Sequence, residues 1–205
     1  MIVNYAHDQR QAESTVETIL AGGGAAEAVR ADVTDELDVE RLFFETIETC
    51  GSVDAVVQAV IGSRPPACAL AWVELEGFEA LCRSHALAAF LVNREAARHL
   101  RNDGAIVNIT SVAVTRPRAH TAADSAGRAA VDALTRVAAQ ELAERGITVN
   151  AVAVDLEGHC EPDHVAEAVV YLLSGGARGA SGQVFRVNRR PRGLGSWRDG
   201  DVPPG

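Results

Sequence analysis

The segment 159–164 (His-Cys-Glu-Pro-Asp-His) contains the residue types that bind transition metals. Imidazole, thiolate and carboxylate groups all ligate zinc, but a closed zinc site needs four ligands, commonly brought together from two clusters. No second cluster of this kind accompanies the segment. A proline flanked by acidic residues is also what the first turn of a helix favours. We therefore predict the start of a helix here, and no metal site.

Asp124 and Arg128 form a second pattern with chemical potential. They stand four residues apart in the segment 121–144, where apolar residues recur at helical spacing. An acidic residue four positions before a basic one has the favoured orientation for an ion pair on a helix, which contributes about 0.3–0.5 kcal/mol when exposed. The spacing therefore predicts a structural ion pair.

The basic residues exclude several kinds of chemistry. All 19 are arginine, and without lysine neither Schiff-base catalysis nor a P-loop lysine is available. A net charge of −9 makes nonspecific binding to nucleic acid unexpected. The chain has no apolar stretch long enough to span a membrane and no Cys-x-x-Cys pair, and from its first residues we expect no secretory signal. We expect a cytoplasmic protein without a membrane partner.

The elements that must position these residues follow from the apolar pattern. Short apolar runs alternate with longer amphipathic stretches, which is typical of βα units around a parallel sheet. The predicted strands are 2–5, 26–33, 53–60, 105–111, 148–154 and 183–187. The predicted helices are 9–20, 34–50 with Thr34 as its N-cap, 74–100, 121–144 and 161–174. We expect strand 53–60 to be covered on both faces, as its apolar composition suggests. The pattern predicts one domain over 1–187 and a basic irregular tail over 188–205.

Five stretches carry a resemblance to a known family: Ala31-Asp32-Val33-Thr34, residues 104–111 (GAIVNITS), 129–136 (AAVDALTR), 145–152 (RGITVNAV) and Ser181-Gly182-Gln183-Val184. In these the sequence resembles the short-chain dehydrogenase/reductase family, especially its 3-oxoacyl-[acyl-carrier-protein] reductase-like branch. The resemblance implies a Rossmann-like three-layer α/β sandwich with a mostly parallel sheet. In that fold the cofactor lies at the carboxyl ends of the strands.

The resemblance departs from the family pattern at the cofactor site. Family members open with a strand, a Gly-rich turn and a helix that receives the cofactor pyrophosphate. The sequence given begins at the family's second strand, and we therefore expect this first βα unit to be lacking. Gly22-Gly23-Gly24 follows a helix and is interpreted as its C-terminal cap. Asp32 and Val33 match the pair that contacts adenine and are the only remnant. We expect no cofactor; NADP(H) or NAD(H) is expected only where a partner or a missing N-terminus completes the site.

The catalytic set departs as well. Ser111 matches the serine that orients the substrate carbonyl, but Asp124 stands at the position of the proton-donating tyrosine, Arg128 at that of the lysine and His85 at that of the asparagine. The turn that flanks the nicotinamide reads Gln-Ala-Val-Ile over 58–61. An aspartate is ionised at neutral pH and cannot protonate a ketone as a phenol does. The resemblance, with these departures, predicts a pseudoenzyme.

Two enzymatic alternatives stay open at this level. One is an NADP(H)-dependent ketoreductase that a partner completes. The other is a non-redox catalyst, a hydrolase, cyclase or dehydratase, in which Ser111, His85 and Asp124 share a remodelled cleft. No nucleophile-elbow sequence surrounds Ser111.

The predicted surfaces favour an assembly role. In the family, the helices corresponding to 74–100 and 121–144 build the dimer and the last strand builds the tetramer. Both helices carry small and apolar residues suited to close packing. The basic tail suits an acidic partner such as a carrier protein. We favour a silent assembly or scaffold subunit in a ketide or acyl pathway, forming homo-oligomers or hetero-oligomers with a full-length relative.

The lacking strand creates a folding question. In the family it lies at the centre of the sheet, beside the strand at 53–60, and a gap there leaves backbone groups unpaired. We expect strand 2–5 to move into this slot and strand 26–33 to follow it. A misassigned start codon is the alternative.

Overall fold

The computed structural model describes residues 1–59, 67–155 and 161–187. Strands in these ranges are β1 (Ile2–Tyr5), β2 (Glu27–Arg30), β3 (Val53–Gln58), β4 (Leu100–Ser111), β5 (Thr148–Val154) and β6 (Val184–Val187). Helices are α1 (Gln9–Ala21), α2 (Glu36–Cys50), α3 (Leu75–Cys82), α4 (Ala88–His99), α5 (Ala122–Glu141) and α6 (Pro162–Leu173). The alternation of strands and helices confirms a Rossmann-like α/β fold. The tail 188–205 lies outside the described residues.

The strands form two parallel sheets, β1-β2 and β3-β4-β5-β6. The expectation that strand 2–5 lies beside strand 53–60 is therefore wrong: β1 pairs with β2, and β3 with β4. The segment that follows β2 explains why this pair does not shift. Ala31 is fully buried, and Val33 packs into the main hydrophobic core with Val39 and Phe43 of α2. Moving β1 and β2 together into the slot would withdraw these side chains from the core.

Two hydrophobic clusters lie on opposite faces of the larger sheet. The first packs α2, α4 and α5 against Ile106 of β4 and Val149 of β5. The second packs α6 against Val107 of β4 and Val152 of β5. The prediction that strand 53–60 is covered on both faces is wrong for its described part, because Ala55 is exposed and Val57 is 42% exposed.

Several helix ends differ from the predicted ones for local reasons. Asp35, rather than Thr34, caps α2 by accepting a hydrogen bond from Asp38 N. Thr34 instead donates to the Asp32 carboxylate through its backbone N–H and its hydroxyl. Gly22 caps α1 as expected, and α6 begins at Pro162, which confirms the predicted helix start. His159 and Cys160 lie outside the described residues.

The predicted helix 74–100 is divided into three pieces. α3 and α4 are joined by a π-helical turn over Arg83–Leu87, in which His85 lies. Such turns insert a residue into the helical ladder and change the direction of the side chains around them. None of the helices in the described ranges is long and apolar enough to cross a membrane.

Candidate functional site

A cleft lies at the carboxyl ends of β4 and β5, next to the start of α5. Its volume is about 320 Å³, and Ser111, Asp124 and Arg128 supply polar groups to its wall. Trp72 and Val112 are among its apolar lining residues. Ligands of open parallel α/β sheets bind at this edge, because strand ends and helix N-termini meet there. The cleft is therefore the candidate site.

Asp124 is held by two partners. Arg128 Nε donates to Asp124 Oδ1 and Oδ2 at 2.9 and 3.0 Å, and His85 Nε2 lies 3.1 Å from Oδ1. The Arg128 side chain is 4% exposed and that of Asp124 is 20% exposed. The ion pair predicted from the spacing is confirmed, but it is largely buried. His85 also contacts Asp124, which the sequence spacing did not predict. Removing one member of a buried pair costs far more than removing a surface pair.

The surroundings of Asp124 fix its charge. Burial alone would raise its pKa, but the hydrogen bond from His85 and the positive charge of Arg128 outweigh burial and hold the pKa below the ordinary value of 3.8. Asp124 is thus ionised at neutral pH. It has no proton to give to a substrate oxygen, and it is a weak base.

Gly127 lets the π-helical turn approach α5. A Cβ at this position would lie 3.1 Å from His85 Cδ2 and 3.2 Å from the carbonyl oxygen of Leu81. A Cβ here would therefore be in tight contact with His85 and the Leu81 carbonyl, and glycine avoids this crowding. His85 Nδ1 is buried, and it has no hydrogen-bond partner among residues the structure describes. Sequence spacing gives no indication of this buried and unpaired nitrogen.

Ser111 lies at the end of β4 and lines the same cleft. Its Oγ accepts a hydrogen bond from Ala113 N at 3.2 Å, which positions the hydroxyl. Its own proton can still be donated to a carbonyl in the cleft. No hydrogen bond within the described ranges joins Ser111 to His85, which is buried and does not line the cleft. The structure thus brings His85 to Asp124 but does not form a relay from serine to histidine.

The described residues do not fit a nicotinamide dinucleotide. The Asp32 carboxylate already accepts two hydrogen bonds from Thr34. The helix N-termini that follow β1 and β2 carry the carboxylates of Asp8 and Asp35 as caps. A cofactor phosphate needs free N–H groups at such a terminus, and a carboxylate there repels it. Within the described ranges, no Gly-rich turn joins a strand to a helix N-terminus.

A buried amide pair sets the position of β4 against two helices. Asn93 of α4 and Asn108 of β4 exchange hydrogen bonds of 2.9 and 3.2 Å, and Asn108 also donates to Thr135 Oγ1 of α5 at 3.0 Å. All three side chains are buried. The amides join β4 to the two helices, and β4 in turn places Ser111 in the cleft. Polar residues in a strand of otherwise apolar composition are the sequence signal for such a network.

Asp132 carries a buried carboxyl group and lies one helical turn beyond Arg128 on α5. Burial raises its pKa; Thr110 and the charge of Arg136 oppose that effect. Within the described ranges the Thr110 hydroxyl makes no bond of ordinary hydrogen-bond geometry, and Asp132 Oδ1 has no partner. A raised pKa means that the folded state favours the protonated form. Stability is therefore lost as pH rises through that pKa.

We expect Asp132→Asn to stabilise the protein at pH 7 by about 1 kcal/mol, which raises Tm by about 2–4 °C. The gain should vanish near pH 3, where the native carboxyl is neutral. Thermal unfolding followed by circular dichroism at both pH values measures it. Glu141→Gln, which changes an exposed carboxylate on the same helix, is the control. A variant less stable than the native protein at pH 7 would contradict this expectation.

Comparisons with known proteins agree with this fold. The family model described as enoyl-(acyl carrier protein) reductase matches residues 1–156. A 3-oxoacyl-[acyl-carrier-protein] reductase of Synechocystis sp. is 30% identical over 211 residues, covering 92% of this chain and 85% of the relative.

Solved structures give the same result. The promiscuous reductase LugOII, which catalyses keto-reduction in lugdunomycin biosynthesis, superposes with a TM-score of 0.83 at 29% identity, over 90% of this chain and 82% of its own. A short-chain dehydrogenase from Burkholderia cenocepacia in complex with NADP gives 0.81 at 26% identity, over 91% and 85%. The chain belongs to the short-chain dehydrogenase/reductase family, in its 3-oxoacyl reductase-like branch.

Proposed function

We propose that this chain is a catalytically silent member of its family that acts as an assembly subunit. One observation carries the proposal: at the position of the family's proton-donating tyrosine stands Asp124, ionised and held by Arg128 and His85. Reduction of a ketone requires a proton at the carbonyl oxygen as hydride reaches the carbon. An ionised carboxylate in an ion pair supplies none, and its negative charge opposes the developing alkoxide.

The hydride source supports the same conclusion. The Burkholderia relative is in complex with NADP, whereas no Gly-rich turn joins a strand to a helix N-terminus in the described ranges of this chain. Ser111 can still orient a carbonyl, and Arg128 still lines the cleft. The cleft thus keeps groups that can bind a carbonyl compound and has lost the group that would protonate it. An acyl or ketide compound is the ligand class that the relatives' names favour.

The hydride assay tests the silent part of the proposal. We expect no consumption of NADPH or NADH above the blank with acetoacetyl esters, measured by absorbance of the reduced nicotinamide. An active 3-oxoacyl reductase in the same cuvette is the positive control. Turnover that Ser111→Ala abolishes would contradict the proposal, because it would show that the cleft performs the family reaction without the tyrosine.

The assembly part rests on apolar side chains at the surface. Phe78 of α3, Phe90 of α4 and Val137 of α5 are all partly or largely exposed, although each belongs to a helix that packs on the core. Large apolar side chains on neighbouring elements are typical of surfaces that bind other chains. Native mass spectrometry of the tagged protein from its source should show a longer family member in fixed stoichiometry. Recovery of the chain by itself would contradict the assembly role.

A further inference from the structure

Three basic side chains lie on one wall of the cleft. Arg116, Arg118 and His120 stand at alternate positions of the connection between β4 and α5, and all three line the cleft. The Arg116 guanidinium has no hydrogen-bond or ion-pair partner within the described ranges. A guanidinium offers a fork of N–H donors whose geometry matches a carboxylate. This wall is therefore suited to bind an anion.

The acidic residues of the same cleft leave Arg116 uncompensated. Asp124 is already bound in its ion pair, and Asp155 also has an interaction partner. Glu74, at the start of α3, is the third acid in the described lining. An anion in the cleft would be repelled by the ionised Asp124 and attracted to Arg116. Its charged group would thus lie against the connection between β4 and α5.

The backbone at His120 is strained. Its φ is 69°, one of two positive values among the non-glycine residues that the structure describes. A residue with a Cβ adopts this left-handed conformation at a cost in free energy that glycine avoids. Cys68 N donates to His120 O at 3.1 Å, which ties the connection to another segment of the cleft wall. Strain of this kind is concentrated where the surrounding structure keeps a side chain in place for a ligand.

Apolar side chains form much of the remaining wall. Trp72, one of the two tryptophans in the chain, lines the cleft and is 77% exposed. Leu81 and Val112 add aliphatic surface to the same cavity. The volume of about 320 Å³ is that of a small-molecule site. An exposed indole beside such a cavity offers a flat apolar surface to the body of a ligand.

These features specify the charge of the ligand as well as its apolar character. We propose that the cleft binds a small carboxylic acid, with its carboxylate on Arg116 and His120 and its apolar body against Trp72. A guanidinium can donate to both carboxylate oxygens, and an imidazole carries an N–H donor in either neutral tautomer. This inference rests on the proposed function, since it names the ligand that a catalytically silent cleft would hold.

Calorimetric titration of the full chain with naphthoate, without any nicotinamide present, tests the proposal. Naphthamide has the same rings and replaces the carboxylate by a neutral amide of similar shape. We expect naphthoate to bind with a Kd below about 1 mM and at least about tenfold more tightly than naphthamide. Weaker binding of naphthoate, or equal binding of the two compounds, would overturn the proposal. So would displacement of naphthoate by an equal concentration of inorganic phosphate, because the apolar body would then contribute nothing.

Two arginine variants separate a local contact from a general effect of charge. Arg116→Gln should weaken naphthoate binding at least about tenfold, and it should fold normally because Arg116 is exposed. Arg101→Gln removes the same charge at the opposite end of β4 and should bind as the native chain does. Glu74→Gln removes a negative charge from the lining and should bind at least as tightly. Equal weakening in both arginine variants would overturn the proposal.

The strained turn provides an independent measurement. Glycine adopts a φ of 69° without strain, so His120→Gly should leave Tm unchanged or raise it. The same variant should weaken naphthoate binding at least about threefold, because an N–H donor to the carboxylate is lost. A gain or retention of Tm with a loss of affinity is not expected of a residue that is merely structural. A lower Tm or unchanged binding would each overturn the role assigned to His120.

The hydride assay distinguishes a failure of this inference from a failure of the proposed function. NADPH consumption with an acetoacetyl ester, by a chain that also binds naphthoate, would refute catalytic silence and leave the carboxylate site intact. A silent chain that binds naphthoate and naphthamide equally would refute only the carboxylate site.

Discussion

Arg128→Met is expected to lower the free energy of unfolding by about 3 kcal/mol at pH 7. The substitution keeps most of the side-chain volume and removes the guanidinium that donates to both oxygens of Asp124. Asp124 would remain partly buried and ionised, and within the described residues it would keep only its hydrogen bond with His85. An uncompensated carboxylate in such a place costs much more than the loss of a surface ion pair. Urea unfolding at constant m-value measures the change.

The pH dependence has a definite sign. Because the native pKa of Asp124 is below its ordinary value, the cluster contributes stability above about pH 4, which is lost as pH falls through the native pKa. The penalty of Arg128→Met should therefore shrink in acid, where Asp124 is neutral in the variant. Arg101→Met is the matched control, since it breaks the exposed pair with Asp54 and should cost less than about 1 kcal/mol. Equal losses in both variants would contradict the buried-cluster interpretation.

Asn108→Ala should be nearly as costly, lowering the free energy of unfolding by about 2–4 kcal/mol. It leaves the Asn93 amide without its reciprocal partner, deprives Thr135 Oγ1 of a donor and opens a small cavity between β4 and two helices. Buried polar groups left without partners keep their full desolvation cost.

Thr135→Val provides the graded comparison. It removes one acceptor of Asn108 and the hydroxyl bond to Val131 O, but it leaves the amide pair in place. We expect a loss of about 1 kcal/mol, measured by the same urea titration. If Asn108→Ala lowered the free energy of unfolding no more than Thr135→Val does, the reciprocal amide bonds would not be the main stabilising part of the network.

The order of strands and helices could be predicted from the sequence because the apolar residues of each segment follow the pattern of either a strand or a helix. Elements such as β1, α5 and β5 fell within a few residues of their predicted bounds. The position of β1 could not be predicted, because pairing depends on where the following segment is anchored. Here the anchor is the buried Ala31 together with Val33, which packs in the core with residues of α2.

The candidate site likewise has one part that could be predicted from the sequence and another that could not. The spacing of Asp124 and Arg128 predicted their pairing, since four residues is one helical turn. The burial of this ion pair and the contact of His85 with Asp124 depend on the π-helical turn at His85 and on the close approach at Gly127. Those features arise from packing between two helices far apart in sequence, which no local pattern contains.

The pKa of the Asp124 carboxyl tests the central claim most directly, because the proposed silence depends on that group being ionised. Carbon-13 NMR titration of the native protein and of Arg128→Met would measure it. We predict a native pKa below the ordinary 3.8 and an upward shift when the guanidinium is removed. A native pKa near neutrality would contradict this account, since Asp124 would then hold a proton that it could deliver to a substrate in the cleft.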